Sequence, residues 1–307
     1  MTGAAFLDLT RGVLAVSGPL RQKFLHNLLS NDVESVQPGH GRLASLMDAR
    51  GRILALMRVL VAKDAVLLEL PADRVAPVRA LLEHYRVGAP VRFAEPPLAV
   101  LAMLGAGARE CVTRAGAELP ELGPEAHVET TLGGAGVRVS RASDLPASAL
   151  VVHVAPESIA AMRAALQGAG AATLEAAAFD ALRVEEGRPL FGIDVTDDNL
   201  LHETGLIAEY HSPSKGCYIG QETVARLEAR GGNVNKALRG LRLGQPSVPG
   251  APIQAGAKDV GRITTAAVSE RFGPIAMGYV HRDHFAPGSA VTVAGSPATV
   301  VALPFPQ

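Results

Sequence analysis

Ser214-Lys215-Gly216-Cys217-Tyr218-Ile219-Gly220-Gln221-Glu222-Thr223-Val224-Ala225-Arg226 is the stretch whose residue types could do chemistry. Glycines flank its Cys-Tyr pair, so the backbone can turn sharply and approach a ligand closely. Gln221 and Glu222 open an expected helix over 222–229. A thiol just ahead of a helix N-terminus, with Lys215 nearby, has surroundings that favour thiolate. Cys217 is therefore the reactive candidate. Cys111 lies at the edge of a loop-like region with no flanking motif and reads as structural. Taken singly, a free cysteine is more often a small buried hydrophobe and a lysine a surface charge. The whole string carries the reading.

Other candidates are weaker. His281-Arg282-Asp283-His284 sets two histidines three apart with no third ligand evident, and a turn between strands explains it. His202-Glu203 and His211 precede the cysteine segment and are candidates for a pocket mouth. Residues 194–199 hold three acids without the alternation and glycine of a calcium loop, and read as a solvated loop. Two cysteines are too few to hold a four-thiolate cluster or to build a disulfide framework. No metal site is expected.

The elements that must position these residues follow from periodicity. A strand over 12–16 leads through Ser17-Gly18-Pro19 into a helix with Leu20, Phe24, Leu25 and Leu28 on one face. Strands are expected at 53–61 and 65–70, then a helix over 73–85. Glu95-Pro96-Pro97 interrupts the pattern. Strands at 98–104, 136–140 and 149–154 follow, with helices over 156–166 and 174–186, the second stopped by Gly187 and Pro189. After Gly231-Gly232 the texture becomes short β pieces at 238–243, 261–269, 275–280, 290–293 and 298–303, separated by Gly and Pro. That spacing predicts a small β-barrel or sandwich. The expected division is an α+β region over 1–232, with two subdomains whose boundary falls within 50–97, and a barrel over 233–307.

Composition sets the outer limits. The chain has 307 residues, enough for two or three domains. With 29 Lys plus Arg against 30 Asp plus Glu, no global field draws it to nucleic acid or anionic lipid. Charged residues break every apolar run short of membrane-spanning length, and Met1–Asp8 lacks a basic stretch followed by an apolar core. A cytoplasmic monomer binding neither nucleic acid nor membrane is expected.

Lys215-Gly216-Cys217-Tyr218-x-Gly220-Gln221-Glu222 resembles the signature of the YgfZ family, relatives of the glycine-cleavage T-protein. Further segments agree in order: Ser17-Gly18 to Asn31-Asp32-Val33, Arg183-Val184-Glu185-Glu186-Gly187-Arg188-Pro189, Gly192-Ile193-Asp194 and Gly261-Arg262-Ile263-Thr264. The resemblance implies T-protein-like α+β folate-binding domains around a central channel with a terminal barrel, and tetrahydrofolate or a one-carbon derivative as ligand. It implies that Glu185 contacts the pterin, Glu186 being the neighbouring alternative. Arg226 is a candidate for the folate tail. Gly216, Tyr218, Gly220 and Gln221 are expected to line the site, with Cys217 and Lys215 as its reactive pair. Partners would be iron–sulfur client enzymes or assembly proteins.

The same resemblance leaves a transferase reading open. The T-protein family places an Asp pair just after a Gly-x-Ile-x segment, matched here by Gly51-Arg52-Ile53-Leu54. The next residues are Ala55 and Leu56, which can neither move a proton nor balance positive charge. An accessory factor is thus expected ahead of an aminomethyltransferase. A folate-stabilised docking module without thiol chemistry is the third reading.

Overall fold

The computed structural model describes residues 3–306. In chain order the elements are β1 (Ala5–Leu9), β2 (Arg11–Ser17), α1 (Arg21–His26), β3 (His40–Met47), β4 (Ile53–Val61), β5 (Ala65–Pro71), α2 (Ala72–His84) and β6 (Arg92–Ala94). Next come β7 (Ala99–Leu104), α3 (Ala108–Arg114), β8 (His127–Leu132), β9 (Ala135–Arg141), β10 (Leu150–Val154), α4 (Ile159–Gly168), β11 (Ala172–Thr173) and α5 (Ala176–Glu185). Then follow α6 (Leu201–Thr204), α7 (Ile207–Tyr210), α8 (Gln221–Ala229), β12 (Lys236–Leu243), β13 (Pro252–Ala255), β14 (Lys258–Ser269), β15 (Gly273–His281), β16 (Ala290–Val293) and β17 (Ser296–Val301).

Two compact units form. The first takes the chain up to Asp48, then Leu54–Leu174 and Glu209–Ile219; the second takes Ala49–Ile53, Glu175–Ala208 and the chain from Gly220 on. The first unit holds a five-stranded sheet ordered β3-β4-β5-β2-β6 and a six-stranded sheet ordered β11-β1-β7-β10-β9-β8. β4 and β10 are buried along almost their whole length, which is why their apolar residues run on instead of alternating. Leu14, Phe24, Leu25, Met57 and Leu68 form the core of the five-stranded sheet; Phe6, Leu101, Cys111, Val152 and Met162 form that of the six-stranded one.

A polar cluster interrupts this apolar interior. Arg58, fully buried on β4, donates to Glu69 (2.8 Å), Glu125 (2.7 Å) and Ser140 (2.9 Å), tying β4 and β5 to β9. Glu69 also accepts from Arg11 (2.7 Å) and pairs with His153 on β10 (2.7 Å). Buried charges persist only when paired and hydrogen-bonded in this way.

The second unit contains a closed barrel ordered β12-β15-β14-β13-β16-β17. Its strands pair antiparallel throughout. Closure removes the exposed edges that short strands would otherwise present. Gly261 is obligatory here: a Cβ would lie 2.1 Å from the Tyr279 carbonyl on the neighbouring strand.

The expected α+β class and terminal barrel are present. Strands β1, β3, β8 and β13 and helix α3 were not legible as periodic elements. Cys111 lies within α3, fully buried, instead of at a loop edge. Residues 194–199 need a larger correction. Asp197 and Asp198 are exposed as expected, but Asp194 is 1% exposed. It pairs with Arg183 (2.5 Å) and accepts from Thr264 (2.6 Å) and Thr265 (2.7 Å). Arg183 in turn donates to Thr265 (2.6 Å). Two neighbouring motif segments and a third 70 residues on thus meet in one buried network, whose pairing offsets the cost of desolvating its charges.

Candidate functional site

The cysteine segment is held in the first unit by the loop that follows α1. Ser30 donates to the Tyr210 carbonyl (2.5 Å), and Asn31 donates to the carbonyls of Leu43 (2.8 Å) and Glu209 (3.1 Å). Ser212 N–H returns a bond to the Ser30 carbonyl (3.2 Å). These contacts give the Asn31-Asp32-Val33 segment a physical role: it anchors the approach to the cysteine.

Lys215 is buried, and its ammonium donates to the carbonyls of His26 and Leu29. It also lies 4.7 Å over the ring of buried Tyr218, which meets the His211 ring at 5.9 Å. Ile219 packs on the core of the five-stranded sheet. Between these anchors Gly216 and Cys217 are exposed. Burial pulls the Lys215 pKa down to about 8, against the opposing attraction of Asp32 and Cys217. Lys215 is therefore a buried anchor beside the thiol, not the surface charge that a single lysine suggests.

The two flanking glycines differ. Gly220 takes φ +84° and caps α8, a conformation that favours glycine. Gly216 has no left-handed φ and open space around it. The sharp turn expected at both is present only at Gly220. Beside the segment lies a polar cleft of about 360 Å³, lined by His26, Asp32, Ser35, Ser212, Ser214 and Lys215 among others. Burial would raise the Asp32 carboxyl, but hydrogen bonds from Ser35 and the nearby His26 bring it below its usual range.

Glu185, Gln221 and Arg226 belong to the second unit. Glu185 ends α5, and its carboxylate is 11% exposed. Oε1 accepts from the Ser269 hydroxyl (2.6 Å), while Oε2 stands 3.8 Å from Arg271. Ser269 also receives the N–H groups of Arg271 and Phe272 (3.0 Å each), so one hydroxyl fixes both the β14–β15 turn and the carboxylate. Gln221 is the first residue of α8. Arg226 is exposed and pairs with Glu222 one turn away.

The other candidates fall apart as a group. His211 is buried against Tyr218, whereas His202 lies on α6, its pKa lowered by burial. His281 pairs with Asp283 (3.3 Å), and among the described residues no three His, Cys, Asp or Glu side chains could hold a metal. On β4, Ala55 and Leu56 are buried, and their side chains carry carbon alone. Gly51, just before them, takes φ +78°, and a Cβ there would lie 2.8 Å from Thr223. A side chain at position 51 would therefore strain this turn. The Arg183–Asp194–Thr265 network was missed because an Asp in a Gly-Ile-Asp loop gives no sequence sign of burial.

A five-stranded and a six-stranded sheet, followed along the chain by a closed six-stranded barrel, set the class of protein. The chain belongs to the glycine cleavage T-protein family: the GCVT N-terminal domain matches residues 2–209, and the glycine cleavage T-protein C-terminal barrel domain matches 236–306. It is similar to the aminomethyltransferase of Streptomyces coelicolor, 29% identical over 99% of this chain and 87% of that protein. It is also similar to the tRNA-modifying protein YgfZ of Edwardsiella ictaluri, 32% identical over 77% of this chain and 70% of the relative. In fold it matches the crystal structure of the glycine cleavage system aminomethyltransferase T from Bartonella henselae, with a TM-score of 0.89 and 24% identity over 99% of this chain and 87% of that one. Among the described residues, no helix is long and apolar enough to cross a membrane.

Proposed function

We propose that this chain is a tetrahydrofolate-binding member of its family that supports assembly or repair of iron–sulfur clusters in client enzymes, acting through Cys217 as a cytoplasmic monomer. One observation carries the reading: the Cys217 thiol is exposed between two buried anchors, Lys215 and Tyr218. Ala55 and Leu56 support it from the other side, since neither can serve as the acid of a transferase.

The residues present fit a pterin. Each carboxylate oxygen holds two acceptor lone pairs. Glu185 Oε1 keeps one after accepting from Ser269, and Oε2 keeps both, with Arg271 at 3.8 Å. Glu185 would therefore accept the amino and ring N–H donors of the pterin, with Ser269 holding the carboxylate in place. Bound folate would supply a one-carbon carrier; the chain itself contributes binding, orientation and the separate thiol.

Calorimetric titration of tetrahydrofolate into wild type and Glu185→Ala tests the pocket. The expected result is binding by wild type that weakens at least about tenfold, about 1.4 kcal/mol, in the variant. Absence of binding by folded wild type would overturn the folate reading. For the thiol, a Cys217→Ala chain that fully supports cluster-dependent enzymes in cells would leave only a docking role. The second reading, an aminomethyltransferase, is favoured by likeness to the Streptomyces coelicolor enzyme along 99% of this chain. Folate-dependent aminomethyl transfer by the purified chain would establish it despite Ala55 and Leu56.

A further inference from the structure

We propose that Lys215 is a positioning residue: with Tyr218 it forms the two feet of a short rigid arch that fixes the Cys217 thiol outside the protein surface. The first foot stands at the end of α1. The last carbonyls of a helix have no intrahelical partner and carry the negative end of its dipole. The His26 carbonyl at that end and the Leu29 carbonyl just beyond it both receive Lys215 N–H bonds. The cation also lies 4.7 Å over the face of Tyr218, an arrangement worth more where water is excluded.

The second foot also has anchors of its own. Tyr218 is 7% exposed and meets His211, and the next residue, Ile219, packs with Phe24 and Leu25. Only Gly216 and Cys217 lie between the feet, and both are exposed. Two residues spanning two fixed points have few backbone conformations left. Charged and titratable groups around the arch are His26 and the Lys23–Glu34 pair (2.9 Å) on the α1 side, Asp32 in the following loop, and His211 beside Tyr218. A neutral amine still has two N–H donors, so both carbonyls stay satisfied whichever form Lys215 takes. Cys111, fully buried on α3, is not available to the thiol. A disulfide between the two cysteines of one chain is thereby excluded.

The proposal draws its biological weight from the reading of Cys217 as the working thiol, but its test does not involve iron or folate. A methanethiosulfonate nitroxide placed on Cys217 of the full chain reports local motion by its electron paramagnetic resonance line shape, Cys111 being inaccessible. Wild type should give a hindered spectrum. Lys215→Met should raise the mobile fraction about twofold or more, and Lys215→Arg, which keeps donors for both carbonyls, should restore much of the hindrance. A folded Lys215→Met chain with the wild-type line shape overturns the proposal. Should Lys215→Met not fold, Tyr218→Leu decides: it removes the aromatic foot and its contact with the cation but leaves both Lys215–carbonyl bonds, and an unchanged spectrum there overturns the proposal equally. Failure of Cys217→Ala to disturb cells, with the spectra as expected, would instead remove the function and leave the arch.

Discussion

Two buried cations in this protein are held by opposite means. Arg183 in the second unit faces two carboxylates, buried Asp194 at 2.5 Å and partly exposed Asp180 at 2.6 Å on its own helix, and two threonine hydroxyls close the network. Lys215 in the first unit faces backbone carbonyls and an aromatic ring. A carboxylate compensates for lost hydration with both charge and hydrogen bonds, whereas carbonyls compensate with dipoles alone. The Arg183 pair is therefore a locked joint between α5, the 190–195 turn and β14. Lys215 is a conditional one, with a proton that burial has made easier to lose. The permanent joint belongs to the scaffold, and the conditional one stands beside the exposed thiol.

That contrast can be broken by measurement. Asp194→Ala should have the largest effect, a loss of about 3–4 kcal/mol in urea unfolding, because it leaves Arg183 buried with only the partly exposed Asp180 as counter-charge. A loss below about 1 kcal/mol would mean that Asp180 and the threonines suffice without the buried carboxylate, and the contrast with Lys215 would weaken. Lys215→Met should lose less, about 1–3 kcal/mol near pH 7, since it strands two carbonyls but also relieves a desolvated charge.

The pH dependence sharpens the same comparison. Lys215 has a folded pKa of about 8, below its unfolded value near 10.5. Below pH 8 both states hold the proton and the cost of burying the charge is present in full. Between about 8 and 10.5 the unfolded chain binds more protons, so this residue's contribution to stability rises with pH. Wild type should thus gain on Lys215→Met across that window, read as the difference in their urea midpoints at pH 7.5 and 10. A flat difference would break the contrast. The smallest effect is expected from Arg226→Ala, whose exposed pair with Glu222 should be worth within about 0.5 kcal/mol. A tenfold loss of tetrahydrofolate affinity in that variant would instead give Arg226 a part in the pocket.

Much of the scaffold was legible. The continuous apolar run at 53–61, the helical spacing of Val75, Val78 and Leu82, and the Gly- and Pro-punctuated pieces after Gly232 all correspond to elements of the expected type. β3 and β8 were not, because Gly41 and Arg42 break the first pattern and the polar run Glu129-Thr130-Thr131 masks the second. Their strand identity comes from partners elsewhere in the chain. The site divides in the same way. Residue type and spacing selected Cys217, and the family resemblance pointed to Ala55 and Leu56 where acids are expected. The sequence offered no sign that Lys215 is buried, that Gly216 and Gly220 differ, or that Ser269 reaches Glu185.

By itself, then, the sequence determined the α+β class, the terminal barrel and the segment that carries the thiol, because periodicity and fixed motif spacing are local properties. Tertiary structure alone decided which charges are buried and with what. Arg183 meets Asp194 across 11 residues, and Arg58 meets Glu125 across 67. Lys215 reaches carbonyls 186 and 189 residues away. The free energy of a charge depends on the dielectric and the dipoles around it, and those are supplied by segments that only folding brings near.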